Sequence, residues 1–154
     1  MKDSTYDPSC GVCRHNAGED PDGGEVVFEN DLWLVRHRGR GVPGWMVIQS
    51  QRHVSGFAFF NEEEARNFGP AFTHLQRALQ NLTGALRIYT ASLNETYPHF
   101  HCHFVPLYDK MPLDAISWKV FELHRNPSIR PDAEQVARLT SAYREAMRET
   151  PPPR

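Results

Sequence analysis

Hydrophobic residues cluster in five short runs separated by turn-forming residues. The runs cover residues 25–29, 32–38, 45–50, 86–91 and 100–107. Asn30-Asp31 lies between the first two runs, and a glycine-rich segment at 39–44 lies between the second and the third. Short runs of β-branched and aromatic residues between turn residues are typical of strands. The pattern predicts an antiparallel meander of three strands, with two further strands near residue 100.

A second pattern, with apolar residues three or four positions apart, predicts two helices. In the first helix these residues are Ala65, Phe68, Phe72, Leu75, Leu79 and Leu82, and in the second they are Val136, Leu139, Tyr143 and Met147. Asn61 with Glu64 has the spacing of a capping box, and Pro70 predicts a bend or a restart. The order β-β-β-α-β-β-α predicts an α+β fold. We expect an antiparallel five-stranded sheet with a long helix and a C-terminal helix.

Length and charge narrow the function classes. The 154 residues predict one domain spanning 1–154, and 17 Lys and Arg against 19 Asp and Glu give a net charge of −2. That balance argues against binding to an extended nucleic acid, which requires many cations to displace counterions. We expect a cytoplasmic protein without membrane association, because the sequence has no long apolar run and no apolar segment typical of a signal peptide. Three cysteines in a reducing compartment indicate metal or thiol chemistry rather than a disulfide framework.

Three histidines alternate at positions 99, 101 and 103, inside the last predicted strand. Alternate side chains of a strand share one face, so these rings line one surface while Phe100, Cys102 and Phe104 pack on the other. A neutral imidazole can ligate a metal or act as a nucleophile. The pattern therefore leaves two interpretations open, a metal site and a nucleophilic site.

Cys10 and Cys13 are separated by two residues, the spacing with which two thiolates bind one tetrahedral zinc ion. Two more ligands are needed, and His53 and His99 are the candidates. His15 is an alternative ligand, although a single residue separates it from Cys13. The surroundings of the pair do not resemble a redox motif, because there is no neighbouring Trp and no βαβ context.

The run from His99 to Val105, followed by Pro106, resembles the His-φ-His-φ-His-φ-φ motif of the histidine triad superfamily of nucleotide hydrolases and transferases, in its zinc-binding type, where φ is an apolar residue. The resemblance covers residues 8–107, including the cysteine pair, Val42-Pro43-Gly44 and His53. It implies that residues 1–24 form a zinc-binding lead-in. The segment 108–154 lies where members of the superfamily diverge.

The resemblance implies roles for individual residues. His101 would attack the α-phosphorus of a nucleotide and form a covalent nucleotidyl-histidine intermediate, His103 would hold the phosphate, and Thr96 would bond the phosphate or the leaving group. A structural zinc ion would be held by Cys10, Cys13, His53 and His99. A homodimer is the expected assembly.

The resemblance also implies a nucleotide-binding surface, with an adenine nucleotide as the expected ligand. His37 takes the position of a ribose contact that is acidic or amide in several branches, Asn94 lies in the phosphate loop, and Phe28 and Leu32 lie on strands that form the base pocket. Leu107 replaces an arginine that often follows the motif.

The expected function is cleavage of a nucleoside phosphoanhydride or phosphoramidate, such as a dinucleoside polyphosphate or an adenylate. The first alternative is a zinc-stabilised nucleotide-binding protein without turnover. The second is a metal-dependent enzyme in which His99, His101 and His103 bind one catalytic ion. All three hypotheses place the chemistry on the same strand.

Overall fold

The computed structural model describes residues 6–20, 24–39, 41–109, 111, 113–125 and 131–154. Five strands are present: β1 (Val26–Glu29), β2 (Trp33–His37), β3 (Met46–Ser50), β4 (Arg87–Ala91) and β5 (His101–Leu107). The α-helices are α1 (Gly11–Asn16), α2 (Glu62–Thr83) and α3 (Ala133–Glu149). Short 3-10 segments occupy Phe57–Phe59, Leu113–Ala115 and Ser117–Arg125. Within these described ranges, no helix combines the length and the hydropathy needed to cross a membrane.

The strands form one antiparallel sheet in the order β1-β2-β3-β5-β4. The first three strands are the predicted meander, and β5 lies between β3 and β4. The predicted α+β fold with a five-stranded antiparallel sheet, a long helix and a C-terminal helix is confirmed. Each observed strand end lies within one residue of its predicted position, because turn residues mark the boundaries in the sequence.

The main core lies between the sheet and helices α2 and α3. Trp33 is fully buried, and its indole nitrogen donates to Oδ1 of Asn67 on α2 at 2.6 Å. Tyr143 of α3 is also fully buried, and its hydroxyl donates to the carbonyl of Leu75 at 2.9 Å. These bonds satisfy the only polar atoms of two large side chains, so both can be buried without an unpaired donor.

Helix α2 begins where its sequence predicts, but it does not restart at Pro70. Asn61 and Glu64 form the predicted capping box, and Gly84 ends the helix with a φ of 64°. Pro70 is exposed, and buried residues on both sides of it anchor the helix to the sheet. A proline removes one backbone bond, and packing along a helix of 22 residues outweighs that loss.

Two segments contain helices that the sequence pattern does not predict. Residues 11–16 form α1, and Leu113–Ala115 and Ser117–Arg125 after β5 form 3-10 turns. Contacts distant in sequence hold α1, because the side chain of Asn16 donates to the carbonyl of Ser50 and accepts from Gln49. In the 3-10 segment Ser117–Arg125, Val120 is buried against Trp45 on the sheet face opposite the main core. Helical segments of three to nine residues are too short to show a clear period in the sequence.

A partly buried ion pair joins the start of α2 to the loop after β3. Glu64 is 2% exposed, and its carboxylate accepts from Nε of Arg52 at 3.0 Å and from a terminal nitrogen of Arg52 at 2.7 Å. The same carboxylate accepts from the backbone nitrogen of Asn61. The pair therefore fixes the cap of α2 and the position of the residue beside His53.

Replacement of Arg52 with Met leaves the Glu64 carboxylate buried without its cation, so we expect a loss of about 2–4 kcal/mol in the free energy of unfolding. Arg66→Met is the matched control, because Arg66 pairs with Glu62 where both side chains are largely exposed. That control is expected to cost less than about 0.5 kcal/mol. Urea unfolding at neutral pH measures both values, and equal losses in the two variants would contradict the role assigned to Arg52.

Candidate functional site

Two cysteines and two histidines from separate parts of the chain converge beside the start of β5. The ligand atoms of Cys10, Cys13, His53 and His99 all lie within 4.8 Å of one another. Sγ of Cys13 is 3.2 Å from Nδ1 of His53 and 3.3 Å from Nδ1 of His99. Sγ of Cys10 is 3.6 Å from Nδ1 of His99. The predicted ligand set is therefore assembled by α1, the loop after β3 and the residues before β5.

The donor set fits a structural zinc ion. Zinc bonds of about 2.0–2.3 Å in a tetrahedron place neighbouring ligand atoms about 3.3–3.8 Å apart, close to the distances observed here. Nε2 of His99 lies 2.8 Å from the carbonyl of Ser50 and must donate to it, which leaves the lone pair on Nδ1, facing the thiols. Burial lowers the pKa of His99 to about 4, so the ring is neutral at physiological pH.

Two alternative metal sites that the sequence left open, one including His15 and one formed by the three alternating histidines, do not agree with this geometry. His15, the alternative ligand, lies outside the cluster, and its Nε2 bonds the Asp20 carboxylate at 2.7 Å. The three alternating histidines do not converge on one ion, because the Nδ1 of His99 faces the thiols while His101 and His103 line a separate cavity. The hypothesis of one catalytic ion held by all three histidines is therefore not supported by the geometry.

His101 and His103 lie on the face of the sheet opposite helices α2 and α3. Side chains alternate between the two faces of β5, and Cys102 and Phe104 are buried in the main core on one face. His101 and His103 therefore lie on the other face. The antiparallel register places Gln49 beside His101 and Val47 beside His103. The two imidazole rings are 5.4 Å apart and nearly perpendicular.

Hydrogen bonds assign opposite tautomers to these two histidines. Nδ1 of His101 is 2.9 Å from the carbonyl of His99, which can only accept, so Nδ1 carries the proton and Nε2 the lone pair. Nδ1 of His103 is 3.0 Å from the indole nitrogen of Trp45, which can only donate, so His103 carries its proton on Nε2. The pair thus combines one nucleophilic nitrogen with one hydrogen-bond donor.

Burial is the main cause that lowers the pKa of His101, and the nearby guanidiniums of Arg36 and Arg38 lower it further. The bond to the His99 carbonyl acts in the opposite direction. The balance favours the neutral ring, the form in which a histidine can attack an electrophile.

A cavity of about 510 Å³ opens at the two histidines. Its lining residues are Val12, His15, Asp20, Gly24, Arg36, Arg38, Gly39, Tyr97, His101 and His103. Val12 and His15 belong to α1, so the helix that supplies a metal ligand also forms part of the cavity wall. Arg36 and Arg38 are not among the site residues that the sequence predicts. Their alternation around His37 in a predicted strand was the signal that could have found them.

Several residues assigned to nucleotide binding do not line this cavity. His37 faces the opposite side of β2 from Arg36 and Arg38, and its Nε2 accepts from the backbone nitrogen of Gly44 at 3.0 Å. Burial lowers the pKa of His37 to about 4, so it is a neutral buried acceptor. Phe28 and Leu32 pack against the main core. Strand alternation and core packing thus direct these three side chains elsewhere.

Asn94 and Thr96, the other two residues that the resemblance assigns to the nucleotide, lie in the loop before β5. Oδ1 of Asn94 accepts from the backbone nitrogen of His101 at 3.1 Å, and its Nδ2 donates to Ser92 at 3.0 Å. Asn94 has a φ of 57°, a left-handed conformation that asparagine tolerates better than most residues. Thr96 is exposed and does not line the cavity. Asn94 therefore orients the start of β5.

No protein-family model and no curated protein matches the sequence. Solved structures match nearly the whole chain. A HIT-like protein involved in cell-cycle regulation from Bartonella henselae has a TM-score of 0.68 at 17% identity, with 92% of this chain and 98% of that chain covered. This chain has the histidine triad fold.

Two further histidine triad structures also match more than 90% of both chains. A zinc-bound histidine triad family protein from Mycobacterium smegmatis has a TM-score of 0.67 at 18% identity, covering 92% of this chain and 94% of that chain. A hypothetical histidine triad nucleotide-binding protein from Sulfolobus tokodaii has a TM-score of 0.67 at 14% identity, covering 91% and 93%. The similarity in fold therefore extends over more than nine-tenths of this chain.

We expect the purified protein to contain about one zinc ion per chain, and Cys13→Ser to lose it, because a hydroxyl is a poor replacement for a thiolate ligand. Cys102→Ala is the control, since Cys102 is buried in the main core away from the cluster. Elemental mass spectrometry measures zinc, and thermal unfolding measures the accompanying loss of stability. A Cys13→Ser protein with unchanged zinc content would contradict the assigned ligand set.

Proposed function

We propose that this protein is a nucleotide hydrolase or transferase that acts at the α-phosphorus of a nucleoside phosphoanhydride or phosphoramidate. The observation that carries the proposal is the pair of opposite tautomers at the cavity, with a lone pair on Nε2 of His101 and a proton on Nε2 of His103. A phosphoryl centre needs both features, because it accepts a nucleophile while charge collects on its oxygens.

In the first step, the lone pair on Nε2 of His101 forms a bond to the α-phosphorus. The bond from phosphorus to the leaving oxygen or nitrogen breaks, and the leaving group departs with that electron pair and takes a proton from solvent. The ring becomes positively charged, and its Nδ1 proton continues to donate to the carbonyl of His99. That bond stabilises the cationic intermediate and holds the ring in place.

In the second step, water attacks the α-phosphorus of the nucleotidyl-His101 intermediate. The phosphorus–nitrogen bond breaks, its electrons return to Nε2, and the proton from water leaves with solvent while a nucleoside monophosphate is released. Another acceptor in place of water would make the protein a transferase. Holding nucleophile and phosphate together can lower the barrier by about 7–11 kcal/mol.

His103 donates its Nε2 proton to an α-phosphate oxygen in this mechanism, and Trp45 keeps that proton on the correct nitrogen. Asn94 acts through the backbone of His101 as a positioning residue. We further propose an adenine nucleotide as ligand, a homodimer as the assembly, and a cytoplasmic location.

The proposed function includes a zinc ion held by Cys10, Cys13, His53 and His99. Zinc with four protein ligands is structural, because it has no open position for a substrate. These residues tie α1 to the start of β5, and the carbonyl of the ligand His99 is the group that accepts from His101. The zinc-bound state of the Mycobacterium smegmatis protein supports this assignment.

The alternative function is a zinc-stabilised nucleotide-binding protein without turnover. One observation favours it: Phe28, Leu32 and His37, which the resemblance assigns to the nucleotide, do not line the cavity. If these three residues do not bind the nucleotide, His101 is still present, but a bound nucleotide need not have its α-phosphorus beside His101. The alternative predicts nucleotide binding without any covalent adduct.

The test is intact-protein mass spectrometry after brief incubation with a fluorogenic adenosine phosphoramidate or with diadenosine tetraphosphate, with nucleotide release measured in parallel. We expect wild type to carry a nucleotidyl adduct or release AMP, and His101→Asn to do neither, with turnover reduced at least about 10³-fold. His74→Asn is the control, because His74 lies on α2 and bonds only the carbonyl of Thr150 among the hydrogen bonds described.

Nucleotide binding without turnover or adduct in wild type would favour the alternative. Full activity in His101→Asn would show that another residue is the nucleophile.

A further inference from the structure

Apart from the histidines, Tyr97 is the one aromatic residue among the described residues that line the cavity. It lies in the loop before β5 and is 43% exposed, although it belongs to the same wall as His101 and His103. Within the described part of the chain, its ring has no aromatic neighbour and its hydroxyl makes no hydrogen bond. The ring therefore presents exposed apolar surface to the cavity.

The residue that follows Tyr97 fixes its backbone. Proline holds its own φ at about −65°, close to the value needed at the centre of a three-residue turn, and Pro98 occupies that position. The carbonyl of Tyr97 accepts from the backbone nitrogen of His99 at 2.7 Å across this turn. The attachment point of the Tyr97 side chain is thus tied to the residue that starts the histidine series.

A glycine on α1 allows the Tyr97 ring to lie against that helix. A Cβ atom at Gly11 would lie 2.8 Å from Cε1 and 3.0 Å from Cζ of the ring, whereas two carbon atoms in contact prefer about 3.5–4.0 Å. The next residue is Val12, which is buried and also lines the cavity. Tyr97 and Val12 are therefore neighbours, and together they form the apolar wall of the cavity.

The sheet register separates the apolar wall from the two arginines of the cavity. β2 and β5 both run antiparallel to β3, so they point in the same direction, and Arg36 shares a row with His103 across β3. Arg38 follows the last residue of β2, whereas Tyr97 precedes the first residue of β5. The histidine pair therefore lies between the guanidiniums and the apolar wall.

The cavity has room for a nucleoside as well as a phosphate, because its volume of about 510 Å³ is typical of small-molecule sites. In the proposed mechanism the α-phosphorus lies at His101, and one ribose joins it to the base. The base must therefore lie in a neighbouring part of the same cavity. Phe28 and Leu32, which the resemblance assigns to the base, pack against the main core instead.

We propose that the apolar wall is the base subsite of the cavity, with the ring of Tyr97 stacked on the nucleobase and Val12 in contact with the same base. This inference rests on the proposed function and assigns the position of its nucleoside. Every base has a flat π-face that an aromatic side chain can bind by stacking. Gly11 and the turn at Pro98 already hold the ring at the wall, so little ordering is needed when a base binds.

The first test measures binding without turnover, by calorimetry on zinc-loaded His101→Asn protein with AMP and with ribose 5-phosphate, which lacks the base. We expect AMP to bind at least about 5-fold more tightly than ribose 5-phosphate. The added substitution Tyr97→Ala is expected to weaken AMP binding about 5- to 100-fold and ribose 5-phosphate binding less than about 2-fold. Tyr97→Phe keeps the ring and is expected to retain AMP affinity within about 3-fold.

Phe59→Ala is the control for this test, because Phe59 is an exposed aromatic residue that does not line the cavity. Equal affinities for the two compounds, equal losses for both in Tyr97→Ala, or a loss in Tyr97→Phe as large as in Tyr97→Ala would overturn the inference. A nucleotidyl adduct on His101 of the wild type would still support the proposed function in each of these cases, so the two failures are distinguishable.

The second test uses Gly11→Ala to displace the ring without removing it. The new methyl group meets the far end of the Tyr97 side chain, so we expect the zinc content to stay at about one ion per chain. We expect AMP affinity to fall at least about 3-fold when Tyr97 is present, and not to fall further when Gly11→Ala is added to Tyr97→Ala. An equal effect of Gly11→Ala in both backgrounds would overturn the role assigned to the ring.

Discussion

The antiparallel pairing of β5 between β3 and β4 is the constraint on which the site depends. It gives β5 two hydrogen-bonded neighbours and therefore a fixed register, and a shift of one residue would exchange its two faces. The buried side chains of Cys102 and Phe104 make that exchange unfavourable, because it would place histidines in the main core. The core thus fixes the face on which His101 and His103 lie.

His99 connects the metal cluster to the reactive pair through two different atoms. Its Nδ1 faces the thiols of Cys10 and Cys13, and its carbonyl accepts from Nδ1 of His101. A structural ion that holds the His99 ring also restrains the backbone that fixes the His101 tautomer. The same cluster anchors α1, whose Val12 and His15 line the cavity. Residues 10–16 are therefore part of the site, although they contribute no strand to the sheet.

The sequence predicted most of the fold, because its periodic signals are local. Alternation in the strands and the three-to-four spacing in α2 and α3 depend only on neighbouring residues, and the alternating histidines and the paired cysteines identify themselves in the same way. Contacts between distant residues were harder to predict. The helix α1 depends on bonds from Asn16 to Gln49 and Ser50, which no short window contains.

The nucleotide surface shows the same limit. His37 was assigned a role from its position in a resemblance, whereas the faces of β2 give Arg36 and Arg38 to the cavity and His37 to the opposite side. Which face of a strand is buried depends on what packs against it, and that information comes from α2, α3 and the segment after β5. The sequence shows which residues of β2 share a face, but it does not show which of the two faces lines the cavity.

The opposite tautomers of His101 and His103 are the central claim, and nitrogen NMR tests them most directly. Long-range proton–nitrogen correlation spectra of ¹⁵N-labelled protein at neutral pH distinguish a protonated ring nitrogen from one with a lone pair, and His101→Asn and His103→Asn assign the signals. The structure predicts a proton on Nδ1 of His101 and on Nε2 of His103. A proton on Nε2 of His101 would contradict its role as the nucleophile.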